Sequence, residues 1–565
     1  MNIKQTIIIP LCAVALSLQA QTTGGKGLQV SWASKDVHYA QTERPVMRAT
    51  SDTLIKAWRG ERVGVEAVVY AAQKQGALQV RLTPWRKGGA TIAASQGEAR
   101  FINYVTTDNF QYCGYHPNNL TPYQVADVID LDVPQTAEEG TTHPVWCTLE
   151  VPADADAGVY STWLEVADAQ THKVLKRLNL KIEVNARTLP SPAEQKFHVD
   201  FWQQPYAVSR YNGVPRWSQA HLDALRPYLK LLARSGQKVV SAILFYEPWG
   251  DQSHDKFSAM VRTTRTKNGE WQYDYTVFDQ WVKLCEECGI SEQINCFSMV
   301  PWDMSFRYYD EAQGKEVDLK TTTSSAEYKA LWTAFLKSFA AHLKQQGWYD
   351  KTCIAMDERG LNNMLDAYRV AQEAVPGIKM ALAGTHHKEL VDKLYDYCIG
   401  FGEHFTDDEL AARKARGWKS TTYTCCSNTE PNLFSNSLPA EAAYLPVFCV
   451  ANKFEGYLHW SWMNWADNPL SDTRFRLFAP GDTYLIYPGP RSSVRYERFI
   501  EGVAMAEKVR ILREEYAAKG NNAALDALNK QVEAFAPAGI PTGQTAAGSA
   551  ISMNAAVNVN RIEPT

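Results

Sequence analysis

Two adjacent carboxylates, Asp357 and Glu358, directly follow a short apolar segment, residues 353–356. The apolar run predicts a buried strand, so both acids lie where that strand ends. Burial and a like-charged neighbour each raise the pKa of a carboxyl group. A pair in this position can keep one carboxyl neutral and the other ionised, as acid catalysis requires. Because a loop with two solvated acids fits these residues equally well, the surrounding elements must decide between the two interpretations.

The elements around this pair alternate between strands and helices. Strands are predicted at 197–202, 239–245, 293–300, 352–356, 379–383, 398–401, 420–424 and 457–462. Helical patterns cover residues 219–235, 275–288, 325–346, 363–375, 388–397, 407–416 and 439–453. Eight βα steps over about 270 residues predict an α/β fold, a TIM-like (β/α)8 barrel. A doubly wound sheet is the alternative, but no glycine-rich phosphate loop follows any strand.

The residues at the strand ends suit a sugar. Barrel enzymes place their reacting groups where strands end, and here acids and aromatic residues recur while cations are scarce. The scarcity of cations argues against phosphorylated substrates. A neutral sugar fits better, because its apolar faces stack on indole rings and its hydroxyls bond carboxylates. The predicted sugar contacts, chosen by strand-end position, are Trp202, Trp302, His386, Glu403, Tyr423, Trp460, Trp462 and Asp467.

Some of these side chains have a second interpretation. Trp460 and Trp462 are two residues apart, so they share one face of a strand and could equally pack the barrel core. Glu247, after the second predicted strand, is favoured as a simple loop charge. A metal site is the alternative for four residues, His386, His387, Glu403 and His404. Hydrogen-bonding roles are favoured for them, and we predict no metal and no cofactor.

The N-terminus predicts export. Residues 1–20 have a short basic start, an apolar run too short to span a membrane, and Ala20 at a cleavage position, which together predict a signal peptide. Pro10 and Leu11 before Cys12 are not the small residues that lipoprotein processing prefers. The sequence therefore predicts a periplasmic or secreted protein without a transmembrane segment.

Further domains flank the barrel. Alternating strands separated by turn-rich segments predict a β-sandwich over residues 27–190. The barrel is predicted over 193–480, a mainly helical C-terminal extension over 481–536, and a disordered tail over 537–565. The net charge of −4 is too small to indicate nucleic acid or an anionic membrane surface as a partner.

In its layout the chain resembles a glycoside hydrolase of family 123. The residues that carry the resemblance are the Asp357-Glu358 pair after the fourth predicted strand and the Trp-rich stretch at 457–462. The resemblance implies an exo-acting β-N-acetylgalactosaminidase. Its substrate would be a glycan or glycoconjugate with a terminal β-linked N-acetylgalactosamine, and Asp357 and Glu358 would be the catalytic pair.

Two adjacent acids suit a reaction in which the 2-acetamido carbonyl of the substrate attacks C1. Glu358 would act as acid and then base, while an ionised Asp357 holds the acetamide N–H and stabilises an oxazolinium intermediate, with retention of configuration. Consecutive strand residues point to opposite faces, so a bulge or twist must bring both acids to the sugar. A conventional retaining glycosidase with Glu430 as nucleophile is the first alternative. A non-catalytic sugar-binding protein is the second.

Overall fold

The computed structural model describes residues 27–110, 120–428, 430–476 and 478–536. The predicted signal peptide and the predicted tail, residues 1–20 and 537–565, lie outside these ranges. Within the ranges, no helix combines the length and the apolar character that a membrane crossing needs.

An N-terminal β-sandwich precedes the barrel, as predicted. Its strands are β1 (Leu28–Trp32), β2 (Asp52–Arg59), β3 (Arg62–Ala71), β4 (Ala77–Leu82), β5 (Trp85–Lys87), β6 (Ala90–Ile92), β7 (Gly97–Thr107), β8 (Tyr123–Ile129), β9 (Gln135–Thr136), β10 (Thr141–Glu150), β11 (Gly158–Asp168) and β12 (Val174–Thr188). They form a sheet in the order β1-β3-β10-β7-β8 and a second sheet built on the order β2-β12-β11-β4-β9. In β4, Leu78, Val80 and Leu82 are buried in the core that the two sheets share. The alternation that predicted strands therefore reflects one buried face of a strand such as β4.

Twelve further strands follow in the described residues. They are β13 (His198–Phe201), β14 (Val239–Ile243), β15 (Arg262–Arg265), β16 (Trp271–Asp274), β17 (Gln293–Phe297), β18 (Ser305–Asp310), β19 (Lys315–Lys320), β20 (Thr352–Met356), β21 (Lys379–Gly384), β22 (Asp396–Gly400), β23 (Lys419–Tyr423) and β24 (Gly456–His459). Eight of them form a sheet in the order β13-β24-β23-β22-β21-β20-β17-β14, with parallel pairing throughout. A parallel bridge between Val199 and Gln237 brings β13 and β14 together, and Lys238 N–H donates to Val199 O at 2.9 Å. The predicted TIM-like barrel is confirmed.

Helices connect the barrel strands and follow the last of them. They are α1 (Pro205–Asn212), α2 (Gln219–Ala233), α3 (Thr276–Glu287), α4 (Ala326–Gln346), α5 (Leu361–Ala374), α6 (Asp407–Ala415), α7 (Pro439–Ala451), α8 (Val494–Ala518) and α9 (Asn522–Glu533). The predicted helix at 388–397 is wrong, because residues 388–393 form turns and β22 begins at Asp396. Leu390 and Leu394, whose spacing suggested a helix, are instead buried in the core from these turns.

A small four-stranded sheet, in the order β16-β15-β18-β19, was not predicted. Its strands come from the two connections that follow β14 and β17. They are short, and several of their side chains are exposed, so they lack the buried alternation that marks a strand in sequence. The same two connections carry Trp249 and Trp302, which places both tryptophans at the carboxyl end of the barrel.

Helix α8 joins the sandwich to the barrel. Its charged residues form ion pairs with the sandwich region: Glu501 with Lys35 at 2.6 Å, Lys508 with Glu61 at 2.6 Å, Glu497 with Arg62 at 2.9 Å, and Arg495 with Asp127 at 2.9 Å. On its other side Gly502 meets α7 so closely that an added Cβ would lie 2.5 Å from Ala443 O. The C-terminal extension therefore contacts both neighbouring regions.

Candidate active site

The Asp357-Glu358 pair lies where β20 ends and α5 begins. All five residues of β20 are buried, whereas Asp357 is partly buried and Glu358 is exposed. Asp357 Oδ1 accepts a hydrogen bond from the Glu358 N–H at 2.8 Å, which turns the chain out of the strand. The chain has left the strand at this point, so the opposite orientation of consecutive strand residues no longer applies to the two acids. The partly buried Asp357 and the exposed Glu358 therefore both lie at the carboxyl end of the barrel.

The pKa of Asp357 is raised to near neutral pH. Burial, and then the charge of Glu358, raises its pKa from 3.8 to about 7. The Glu358 N–H and the indole N–H groups of Trp302 and Trp249 oppose the shift, because they favour the ionised form. The Trp249 N–H approaches Asp357 but is buried without completing a hydrogen bond to the described residues. Asp357 therefore lies in a niche of N–H donors that suits a carboxylate.

Tyr423, the last residue of β23, contacts Glu358 directly. The Tyr423 hydroxyl donates a hydrogen bond to Glu358 Oε1. Burial, and then the negative charge of Glu358, raises the pKa of Tyr423 above its ordinary value, so the hydroxyl keeps its proton at neutral pH. Glu358 Oε1 is thus occupied by a fixed donor, and its exposed carboxyl group can still exchange a proton with a ligand.

An aromatic layer lies beneath the pair. Trp202 is 3% exposed and stacks on Trp249 with ring centroids 5.3 Å apart, and it also contacts Phe297 at 4.6 Å. By contrast, Trp302 is 37% exposed and carries the Arg359 guanidinium 5.0 Å from its ring centroid. The structure therefore places Trp202 under the site and Trp302 at its rim.

Glu403 organises the backbone beside Tyr423. Its Oε2 accepts hydrogen bonds from the His386 N–H at 2.8 Å and from the Gly400 N–H at 3.3 Å. A Cβ added to Gly400 would lie 3.8 Å from Glu403 Oε2 and 3.9 Å from the Tyr423 hydroxyl, so the two side chains share this sector of the rim. His386 Nε2 lies 3.2 Å from Glu409 Oε2. Among the described residues, no three His, Cys, Asp or Glu side chains are grouped as a metal would require.

Trp460 and Trp462 lie in different environments. Because β24 ends at His459, the chain turns before these residues and they do not share a face. Trp460 is partly buried and donates its indole N–H to Asp482 Oδ2 at 3.2 Å. Trp462 is fully buried and stacks on Phe201 with centroids 5.8 Å apart. Trp460 also packs against the apolar cluster that contains Trp202 and Trp249, so the structure places Trp460 at the site and Trp462 in the core.

Asp467 lies on an outer loop. Its side chain is 84% exposed and accepts a hydrogen bond from His254 Nε2 at 2.7 Å. This bond, and then the charge of His254, lowers the pKa of Asp467. The contacts of the described residues do not bring Asp467 to the Asp357-Glu358 pair.

Glu430 lies near Glu441, not in a described contact with the Asp357-Glu358 pair. Burial raises the pKa of Glu441 at the start of α7 to about 8, and the charge of Glu430 contributes to that shift. Glu358, not Glu430, is the carboxylate whose charge raises the pKa of Asp357. Among the described residues, Glu430 forms no hydrogen bond or ion pair with Asp357 or Glu358, so no contact supports a position facing the pair, as a nucleophile would need.

Three residues near the site are not among the predicted sugar contacts. Trp249 and Glu247 follow β14; Trp249 was not chosen as a sugar contact, and Glu247 was favoured as a simple loop charge, yet its side chain is buried. Glu247 has φ +47°, its Oε2 accepts from the Phe257 N–H at 2.7 Å, and burial raises its pKa to about 7. The sequence contains no signal for Asp482, because this residue lies beyond the last barrel strand. Only the folded chain brings it to the carboxyl end of the barrel, beside Trp460.

Comparisons with known proteins concern the fold and the family of the chain. Residues 202–512 match the model of the glycoside hydrolase 123 catalytic domain, and residues 32–168 match that of the glycoside hydrolase 123 N-terminal domain. A solved family 123 glycoside hydrolase from Clostridium perfringens, studied for glycolipid glycan hydrolysis, is similar with a TM-score of 0.84 and 24% identity over 95% of this chain and 97% of that chain. No curated protein matches.

Two other solved structures are far less similar. AvmM, which catalyses macrocyclization in alchivemycin A biosynthesis, has a TM-score of 0.18 and 8% identity over 29% of this chain and 93% of its own. A PapD-like domain of human CEP192 has a TM-score of 0.15 and 9% identity over 32% of this chain and 99% of its own. Scores this low carry no argument about the fold.

The family assignment follows from the family models. At 24% identity, the likeness to the Clostridium perfringens structure shows the fold alone. The catalytic-domain match spans residues 202–512, more than half of the 565 residues, and it contains the Asp357-Glu358 pair. The resemblance inferred from sequence is confirmed: the chain belongs to glycoside hydrolase family 123.

Proposed function

We propose that this glycoside hydrolase is an exo-acting, retaining β-N-acetylgalactosaminidase that uses the 2-acetamido group of its substrate as the nucleophile. The observation that carries the proposal is the position of Asp357, adjacent to Glu358 and flanked by the indole N–H groups of Trp249 and Trp302. Terminal β-linked N-acetylgalactosamine as the sugar, and the exo mode, rest on the resemblance to family 123.

The pair suits substrate assistance better than a two-carboxylate mechanism. A conventional retaining enzyme places its nucleophile across the sugar from the acid, with the two carboxyl groups about 5–5.5 Å apart. Asp357 and Glu358 are neighbours in the chain, and the backbone of one bonds the side chain of the other. They therefore approach a bound sugar from the same side, which leaves the attack on C1 to a group of the substrate.

In the first step, Glu358 donates its proton to the glycosidic oxygen. The acetamide oxygen attacks C1, the bond from C1 to the glycosidic oxygen breaks, and the leaving alcohol keeps the proton. Ionised Asp357 accepts the acetamide N–H and offsets the positive charge that develops on the oxazolinium ring. Because burial raises the pKa of Asp357, its carboxylate gains more from a new donor than a solvated carboxylate does.

In the second step, water attacks C1 and Glu358 takes a proton from it. The bond from C1 to the acetamide oxygen breaks, and the acetamide is restored. Two inversions at C1 retain the β configuration. Tyr423 supports both steps, because its hydroxyl fixes Glu358 in one orientation while the carboxyl group gives up and recovers a proton.

The surrounding side chains suit one hexose. Trp302 and Trp460 offer ring surface at the rim, and Glu403 offers an acceptor beside Tyr423. Trp202 contributes from below by supporting Trp249. Export to the periplasm or the medium is part of the proposal, since residues 1–20 predict a signal peptide; N-terminal sequencing of the mature protein tests the predicted cut after Ala20.

A panel of nitrophenyl glycosides tests the proposal. The wild-type protein is expected to hydrolyse the β-N-acetylgalactosaminide and to leave the β-galactoside, which has a 2-hydroxyl, essentially intact. A thiazoline analogue of the intermediate is expected to inhibit, and the first product seen by NMR is expected to be the β anomer. Glu358→Gln serves as the inactive control.

The same panel separates the alternatives. Comparable hydrolysis of the β-galactoside, together with loss of turnover in Glu430→Gln, would establish the conventional mechanism instead. Binding of N-acetylgalactosamine by calorimetry without release of nitrophenol from any glycoside would indicate a non-catalytic sugar-binding protein.

A further inference from the structure

Asp482 is a buried carboxylate at the edge of the site, and the proposed mechanism does not use it. We propose that Asp482 is a positioning residue that orients the Trp460 indole for sugar binding, and that the N-terminal sandwich supports this contact through Arg495. The inference rests on the proposed function, because it assigns Trp460 to the sugar-binding surface.

The contacts of Asp482 are few. It is 1% exposed, and Oδ2 accepts the Trp460 indole N–H at 3.2 Å. Oδ1 is buried and completes no hydrogen bond with the described residues. Burial raises the pKa of Asp482 to about 7, and the Trp460 N–H is the first of the groups that oppose the shift. A carboxylate is costly to bury with a single donor, so the bond to Trp460 is the chief interaction of this side chain.

Trp460 links Asp482 to the catalytic pair. The ring is partly buried and packs on Phe478 with centroids 4.9 Å apart. Trp460 and Tyr423 pack against the same apolar cluster, which contains Trp202 and Trp249, and the Tyr423 hydroxyl donates to Glu358. With one side against Phe478 and its N–H bonded, the indole has a fixed orientation near Glu358.

The segment that carries Asp482 is held by α8 and the sandwich. The Arg495 guanidinium donates to Gly481 O at 2.9 Å and to Tyr484 O at 3.2 Å, on either side of Asp482. Arg495 Nε also donates to Asp127 Oδ2 at 2.9 Å, and Asp127 belongs to β8 of the sandwich. One buried arginine therefore connects the sandwich to the segment that orients Trp460.

A double-mutant cycle between Asp482 and Trp460 tests the inference. Asp482→Asn keeps the shape and removes the charge, and Trp460→Phe keeps a ring and removes the N–H. Each single change is expected to raise KM for the nitrophenyl β-N-acetylgalactosaminide about tenfold, the scale of one charge-assisted hydrogen bond, with kcat changed less than threefold. The double variant is expected to resemble Trp460→Phe, because both changes remove the same bond.

A matched control is Trp465→Phe. Trp465 is fully buried and donates its indole N–H to Ile486 O at 2.9 Å, so the change removes a structural indole bond away from Asp482. This control is expected to lower the Tm without raising KM. In NMR spectra of protein with 15N-labelled tryptophan, the Trp460 indole proton is expected to move upfield in Asp482→Asn, because its charged acceptor is lost.

The outcomes are distinguishable. Additive effects in the cycle, or an unchanged KM in Asp482→Asn with an unmoved Trp460 indole signal, would overturn the positioning role. Absence of any turnover by the wild-type protein would instead overturn the proposed function. In that case the indole signal of Asp482→Asn still decides whether the bond to Trp460 depends on the charge.

Discussion

Replacing Asp357 with asparagine separates activity from stability at one position. The change removes the negative charge that is proposed to balance the oxazolinium ion. Two unit charges about 4 Å apart interact by about 4 kcal/mol at the effective dielectric constant of a site near the protein surface. At about 1.4 kcal/mol per factor of ten, we expect kcat/KM of Asp357→Asn to fall by about 10³.

The same substitution should stabilise the fold at high pH. Burial raises the pKa of Asp357 from 3.8 to about 7, so between these pH values the unfolded chain has lost a proton that the folded protein still holds. Stability contributed by this group therefore falls as pH rises towards 7, by up to about 4 kcal/mol. Asparagine carries no charge, so Asp357→Asn should be more stable than wild type by about 1–4 kcal/mol at pH 8 and nearly equal at pH 4.

Urea unfolding at pH 4 and pH 8, together with nitrophenol release, measures both effects. Glu358→Gln is the matched control, because the exposed Glu358 side chain should lose activity on substitution without a comparable gain in stability. Retention of more than about a tenth of the activity in Asp357→Asn would contradict the proposed role of the Asp357 charge, and lower stability than wild type at pH 8 would contradict its raised pKa.

Three further predictions concern the frame of the site. Tyr423→Phe removes the donor to the acid/base carboxylate, so kcat/KM should fall about 10–100-fold with Tm nearly unchanged; a change below twofold would contradict the assigned contact. Asp127→Ala leaves the Arg495 guanidinium buried without its carboxylate partner. Urea unfolding should therefore show a free energy of unfolding lower by about 3–5 kcal/mol, and a decrease below 1 kcal/mol would contradict a buried Arg495–Asp127 pair. Gly456→Ala places a Cβ in collision with the His198 carbonyl oxygen of β13 and should prevent soluble expression, whereas Gly360→Ala meets nothing within 4 Å and should express normally.

The architecture was largely readable from local pattern. Strand β20 was predicted with its observed bounds, and α4 within one residue, because buried strands and amphipathic helices leave periodic apolar residues in the sequence. The failures had local causes. Leucines four residues apart within 388–397 match the spacing of a helix face although residues 388–393 form turns. The short strands β15, β16 and β19 lack the continuous buried face that marks a strand in sequence.

Some features of the candidate site are likewise determined by the local sequence, and others are not. The adjacency of Asp357 and Glu358 is a property of the sequence, and so is their place after an apolar strand. The sequence does not determine, however, whether a given tryptophan faces the site or the core. Trp460 and Trp462 looked equivalent by period-two spacing, yet β24 ends before them, and only one reaches the site.

The sequence alone determined that two neighbouring acids leave a barrel strand, since strand, turn and carboxylate are encoded within eight residues. Tertiary structure decided what surrounds them. The indole donors around Asp357, the Tyr423 hydroxyl on Glu358 and the Asp482 contact to Trp460 come from segments far apart in the chain. Barrel closure brings these segments together, and burial then raises the pKa values of Asp357, Tyr423 and Asp482. Neither the proximity nor the shifts leave a local mark in the sequence.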